Sequence, residues 1–162
     1  MARTAGRRGH LRCGFAPGYP RKPPKRRSLV AEHPPTALDA TTPWVRRWLR
    51  AEGIAAFAGG AVAWSALGAE WPWFVVLLLA PDVSMVGYLI GPHAGAIAYN
   101  IVHNWATAGV VLGLGLLASV PWLVLVGVLL IAHVGMDRAL GYGLKYPTAF
   151  QDTHLGRIGR RQ

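Results

Sequence analysis

From Ala51 to Asp137 the chain has no Lys or Arg, and almost all of that stretch is apolar. The apolar residues fall into four runs, roughly residues 53–69, 71–90, 94–120 and 121–136, instead of being spread at the spacing of a soluble protein. Each run is close to the ~17–25 residues that a helix needs to cross a bilayer. A closed barrel is the other spanning solution, but it requires alternation, and residues 74–80 and 124–132 do not alternate. The connections near residues 68–71, 91–93 and 118–121 are short enough to make consecutive helices antiparallel neighbours. The expected fold is all-α: a multi-pass transmembrane bundle of about four antiparallel helices.

Charge sets the expected orientation. Nine of the seventeen Lys and Arg precede residue 28, three are Arg46, Arg47 and Arg50, and the last five run from Arg138 to Arg161. The positive-inside rule then places both termini in the cytoplasm and the bundle in the plasma (inner) membrane, with membrane lipid as its immediate partner. Trp44, Trp48, Trp71, Trp73 and Trp122 suit interfacial belts, with core packing as the plainer alternative. Residues 1–42 are rich in Arg, Pro and Gly, hold no Asp or Glu before Glu32 and lack an apolar period, so they are expected to be a disordered basic tail. The folded part is then residues 43–158, four helices followed by an ordered C-terminal segment. Without aromatic interleaving the tail implies no specific nucleic acid. The first long apolar run starts too late for a classical signal peptide, whose length is ~15–30 residues. Cys13 is the only cysteine, so no internal disulfide forms.

Against this apolar background Asp82, His103 and His133 stand out, with Asp137 near the end of the last run. Ionisable side chains are expensive in lipid, which makes them candidates for function. Counted from helix ends at Ile90, Ala94 and Gly141, the first three lie eight, nine and eight residues in, ~12–14 Å at 1.5 Å per residue, and therefore at one level. His133 and Asp137, four apart, share a helix face. Asn100, His103, Asn104 and Thr107 follow a helical period and are expected to form a polar stripe, with Tyr99 four residues before His103. Pro81 lacks an amide proton and is expected to kink its helix beside Asp82.

Two imidazoles and two carboxylates suit a divalent metal such as zinc, manganese or iron, with Asp82, His103, His133 and Asp137 as ligands and Glu52 or Tyr99 assisting proton transfer. Two other readings stay open: polar groups that only hydrogen-bond across the bundle, and a path for protons or a solute. No H-E-x-x-H pattern narrows the choice. After the last run, Tyr142, Tyr146, Phe150, Gly141 and Gly143 suggest a segment folded back on the bundle. There Arg138, Lys145 and His154 are candidate phosphate-binding residues, or else snorkelling cations. Gly109 and Gly113 make a small-xxx-small pair for helix packing or, alternatively, a homo-oligomer face.

Ala-Pro-Asp-Val-Ser-Met-Val-Gly-Tyr at 80–88, Gly-Pro-His-Ala-Gly-Ala-Ile-Ala-Tyr-Asn-Ile-Val-His at 91–103, the segment from Ala132 to Pro147 and Asp-Thr-His-Leu-Gly at 152–156 resemble the bacterial integral-membrane domain of unknown function 4260. The resemblance spans about residues 49–158, including Arg50, Glu52 and Gly53, and implies a small four-helix membrane protein without an assigned activity, cofactor or partner. A looser likeness is to membrane-bound hydrolase-like proteins with Pro-Asp and His-x-x-x-Asp patterns on neighbouring helices, although Val-Ser-Met follows Pro81-Asp82 here. The specific expectation is a metal-assisted hydrolase or transferase with a membrane-borne substrate. A small transporter or proton-coupled carrier and a structural membrane partner protein are the alternatives.

Overall fold

The computed structural model describes residues 43–159; the tail expected over residues 1–42, with Cys13, lies outside them. Five α-helices follow one another: α1 (Pro43–Ala66), α2 (Trp71–Leu78), α3 (Pro92–Val102), α4 (Trp105–Leu117) and α5 (Pro121–Leu140). A 3-10 helix (Ala80–Leu89) lies between α2 and α3, and two short strands, β1 (Asp152–Thr153) and β2 (Gly156–Arg157), form an antiparallel pair after α5. The fold is all-α.

Helix α5 is the centre, and small residues let its neighbours approach to backbone distance. A Cβ placed on Gly53 of α1 would lie 2.6 Å from the Ala139 nitrogen and 2.7 Å from the Gly135 oxygen, and one on Gly60 would lie 2.8 Å from the Ala132 Cβ. Residue number rises along α1 as it falls along α5, so the two are antiparallel. On the α4 side, Cβ atoms on Gly127 and Gly115 would lie 2.5 Å from the Leu112 Cα and 2.6 Å from the Val124 nitrogen. Such close approach is how helices associate where lipid removes the hydrophobic incentive. Gly109 and Gly113 take no part, since nothing lies within 4 Å of a Cβ on either, which corrects the expectation that they pack the bundle. Trp64, Phe74, Leu78, Val128, Leu129 and Ala132 form the apolar core. The five tryptophans assigned to belts are each at least half exposed.

Among the described residues two helical stretches, Trp71–Leu89 and α5, are long and apolar enough to cross a membrane, or three if α3 and α4 form one broken span. The first of the four runs expected to span, most of which lies in α1, does not qualify: α1 is 24 residues long, but Arg46, Arg47, Arg50 and Glu52 occupy its first turns.

Both middle runs are broken, and the breaks shape the site. The Leu78 carbonyl would accept from residue 81 in a 3-10 turn, but Pro81 has no N–H, and Asp82 N–H bonds Leu79 O at 3.2 Å instead. The chain therefore changes from α to 3-10 geometry and Leu78 O is left for another donor. The second break corrects the expected continuous polar stripe. Helix α3 stops at Val102, and the α3–α4 pair is bent by 42°. Asn104 causes this by capping: its Oδ1 accepts from Thr107 N–H at 2.8 Å, and its Nδ2 donates to Asn100 O at 2.7 Å and Ile101 O at 2.9 Å. Polar side chains at this spacing compete with the backbone ladder and end the helix.

Candidate functional site

The three polar residues on three different elements come together. One ligand atom each from Asp82, His103 and His133 lies within 4.8 Å of the others. His103 Nε2 is 3.3 Å and His133 Nε2 3.6 Å from Asp82 Oδ1. Both histidines are buried, whereas the Asp82 side chain is 33% exposed, so the cluster has one open side.

Each imidazole is held from behind. His103 Nδ1 lies 2.9 Å from Tyr99 O, and His133 Nδ1 lies 2.5 Å from Leu78 O, the carbonyl that Pro81 leaves unpaired. A carbonyl only accepts, so each Nδ1 carries the proton and each Nε2 presents either a lone pair or the second proton of an imidazolium. The Tyr99 ring stacks on His103 with centroids 3.6 Å apart and further fixes its plane. His133 Nε2 is fully buried without a hydrogen-bond partner. Two Nε2 atoms and a carboxylate oxygen thus lie within 4.8 Å of one another, a donor set that can hold a divalent ion, and His103 Nε2 is also within hydrogen-bond distance of Asp82 Oδ1. Four ligands at ~2.0–2.1 Å around a tetrahedral ion stand ~3.4 Å apart. The two Asp82 separations, 3.3 and 3.6 Å, fall near that value, and the three atoms together lie within 4.8 Å of one another.

Asp137 is adjacent and outside this group of three. Its Oδ2 is 4.0 Å from His103 Nε2 and accepts from the Tyr99 hydroxyl at 2.5 Å. Tyr99 is thus buried with its hydroxyl committed to Asp137. Glu52 is exposed on α1 and has no hydrogen bond or ion pair among the described residues, so the structure does not bring it to the cluster.

The candidate phosphate-binding residues divide differently. Arg138 is buried; it donates to Tyr142 O at 2.7 Å and to His103 O at 3.3 Å. The latter carbonyl is available because Asn104 has captured the Thr107 amide. Lys145 is 4% exposed, donates to Phe150 O at 3.0 Å and sits 4.0, 5.2 and 5.8 Å from the ring centres of Phe150, Tyr99 and Tyr142. Burial lowers the Lys145 pKa, and Asp137 and Asp82 act against that shift. His154 is at the surface with Nδ1 accepting from Leu144 N–H at 2.8 Å; its pKa is lowered, first by desolvation, then by the Arg138 charge.

Asn100 ties this segment to the bundle, a role that its position in a helical stripe does not reveal. Its side-chain amide pairs with both backbone groups of Lys145, Nδ2 donating to the carbonyl at 2.9 Å and Oδ1 accepting from the amide at 2.7 Å. Lys145 also bridges to Thr153. The Leu78 carbonyl could not be found by residue type either, because it becomes available through one of the two backbone breaks, whereas Tyr99 O accepts from the His103 N–H at 2.9 Å as well as from the His103 ring. Pro81 and Asn104 were the only sequence signals of those breaks.

The family model for "Domain of unknown function (DUF4260)" matches residues 46–158, from the first turn of α1 to just beyond β2. No curated protein and no solved structure matches the chain.

Proposed function

The chain belongs to the DUF4260 family, and we propose that it is a membrane-embedded metal protein, a hydrolase or transferase acting on a membrane-borne substrate. The observation that carries this is the pair of imidazoles with Nδ1 on backbone carbonyls and Nε2 aimed at Asp82, one of them buried without a partner. Orientation of metal-bound histidines through the second ring nitrogen is the usual supporting arrangement.

Asp82, His103 and His133 would hold the ion, leaving a position on the open side of Asp82. When bound, a divalent ion in such a site acidifies water and polarises an ester oxygen. Asp137 lies next to His103, and its bond from Tyr99 holds the carboxylate in place to accept a proton at the free oxygen. Glu52 has no part in this reading. In elemental analysis, purified full-length protein is expected to contain about one equivalent of zinc, manganese or iron. His133→Ala and Asp82→Ala are expected to bind it at least ~100-fold more weakly, beyond the ~10–100-fold typical of losing a supporting contact. Folded protein free of metal would reject the reading.

The topology supports a membrane setting. Helix α1 runs beside the candidate span α5 from Gly53 to Gly60, so crossing by α5 would carry α1 with it. Together with the Lys and Arg distribution, this packing supports four crossings with both termini cytoplasmic. Cysteine labelling is expected to find Glu70 and Ser119 on the outside; a cytoplasmic Glu70 would remove the four-crossing arrangement.

A carrier is the second reading, favoured by one observation: the helix break at His103 lies at the polar cluster, as discontinuous helices do at the sites of many transporters. Metal or proton uptake into vesicles containing the protein would favour it over hydrolysis.

A further inference from the structure

Among the described residues the buried cations of the site have no carboxylate at ion-pair distance. Arg138 and Lys145 are both buried, yet neither forms an ion pair with a carboxylate among the described residues. Arg138 donates to two carbonyls and Lys145 to one, which leaves further N–H groups on each. The carboxylates in the same region, Asp82 and Asp137, face His103 and His133 instead. With neutral imidazoles the four charges cancel through space. A divalent ion would leave the region with two positive charges in excess, in surroundings of low dielectric where such an excess is costly.

The opening also has a defined chemical character. On the 3-10 helix, residues three apart share a face. Ala80, Val83, Val86 and Leu89 are all exposed, while Asp82, Met85 and Tyr88 form a half-buried row. That row connects the open side of Asp82 to the C-terminal segment, where the Tyr88 ring meets Phe150 edge-on at 5.3 Å, and Phe150 supplies both the ring and the carbonyl that hold the Lys145 ammonium. Lys145 is thus at the end of the row that begins at the cluster.

Resting on the metal reading, we propose that the substrate group of this site is a phosphate ester, with the Lys145 ammonium as its anion-binding residue. A phosphate dianion matches the excess charge and offers oxygens both to the ion and to the free Lys145 donors. Arg138 holds the surrounding backbone and adds positive potential. The phosphate can come from a lipid headgroup or from a soluble ester, and the chemistry of recognition is the same.

The test is calorimetric titration of inorganic phosphate into full-length, metal-loaded protein in a maltoside detergent, with metal content measured on the same samples. Saturable binding is expected, weakened tenfold or more in Lys145→Gln at unchanged metal content. A second measurement covers the case in which this variant does not fold. The chain has only three lysines, Lys22, Lys25 and Lys145, so acetylation of the wild-type protein followed by mass spectrometry reads Lys145 against two internal standards. Phosphate is expected to slow modification of Lys145 more than that of the other two. Absence of metal from the wild type would defeat the metal reading itself. Metal-loaded protein that ignores phosphate, or a folded Lys145→Gln that binds it equally well, would overturn the phosphate site and leave the metal reading standing. Transfer to phosphatidylcholine vesicles with added phosphatidic acid separates the sources: competition with inorganic phosphate supports the site with a lipid headgroup as its ligand, and no competition supports it with a soluble ester.

Discussion

Gly53→Leu and Gly135→Leu are each expected to detach α1 from α5, with a loss of about 3 kcal/mol or more in stability. The expected effect is large because the neighbours are backbone atoms that cannot rotate away. A Cβ on Gly135 would be 2.6 Å from the Phe57 nitrogen, and one on Gly53 would be 2.6 Å from the Ala139 nitrogen. Gly59, one residue before the contact at Gly60, has nothing within 4 Å of a Cβ and is the control. Thermal unfolding in detergent should show Gly59→Leu near wild type and the other two strongly destabilised. Equal behaviour of all three would mean that α1 does not pack on α5 through these glycines.

The second large effect is expected at Asn100. Its amide satisfies both the N–H and the C=O of Lys145, and removing it leaves two backbone groups without partners in a partly buried place. Asn100→Leu is therefore expected to destabilise the segment after Gly141 by about 2 kcal/mol, which raises its open population roughly 30-fold. Trypsin should then cut after Lys145 and Arg157 at a correspondingly higher rate while α5 stays intact. An unchanged rate would show that the pairing of Lys145 with Thr153 and the β1–β2 hairpin hold the segment without Asn100.

These two positions also show what could be read from the amino-acid sequence. The helical class followed from unbroken apolar runs. Counting residues inward from helix ends pointed to Asp82, His103 and His133 as one group, and they do meet, although the stretch from Ala80 to Leu89 is a 3-10 helix that rises ~2.0 Å per residue and not the ~1.5 Å of the count. The partners of those residues were not legible. A polar stripe at Asn100, His103, Asn104 and Thr107 has the same spacing whether the helix continues or ends, and only the competition of Asn104 for the Thr107 amide decides. Similarly Pro81 signalled a kink, but not that the freed Leu78 carbonyl would reach His133, 55 residues away in the chain. Glu52 has the chemistry for proton transfer, but a residue's place in the sequence does not say which side of α1 it occupies, and it lies exposed. Gly109 and Gly113 had the right spacing for packing, whereas the glycines that pack are set by which faces α1 and α4 turn to α5. Asp137 shares a helix face with His133, yet the Tyr99 hydroxyl holds it beside the cluster of three.

X-ray absorption spectroscopy of the purified full-length protein at the edge of its proposed metal tests most directly the claim that Asp82, His103 and His133 ligate one ion. The expected spectrum has nitrogen and oxygen scatterers at about 2.0–2.1 Å with the outer-shell pattern of two imidazoles, falling to one in His133→Ala. A spectrum without imidazole scattering, or one that His133→Ala leaves unchanged, would contradict the claim.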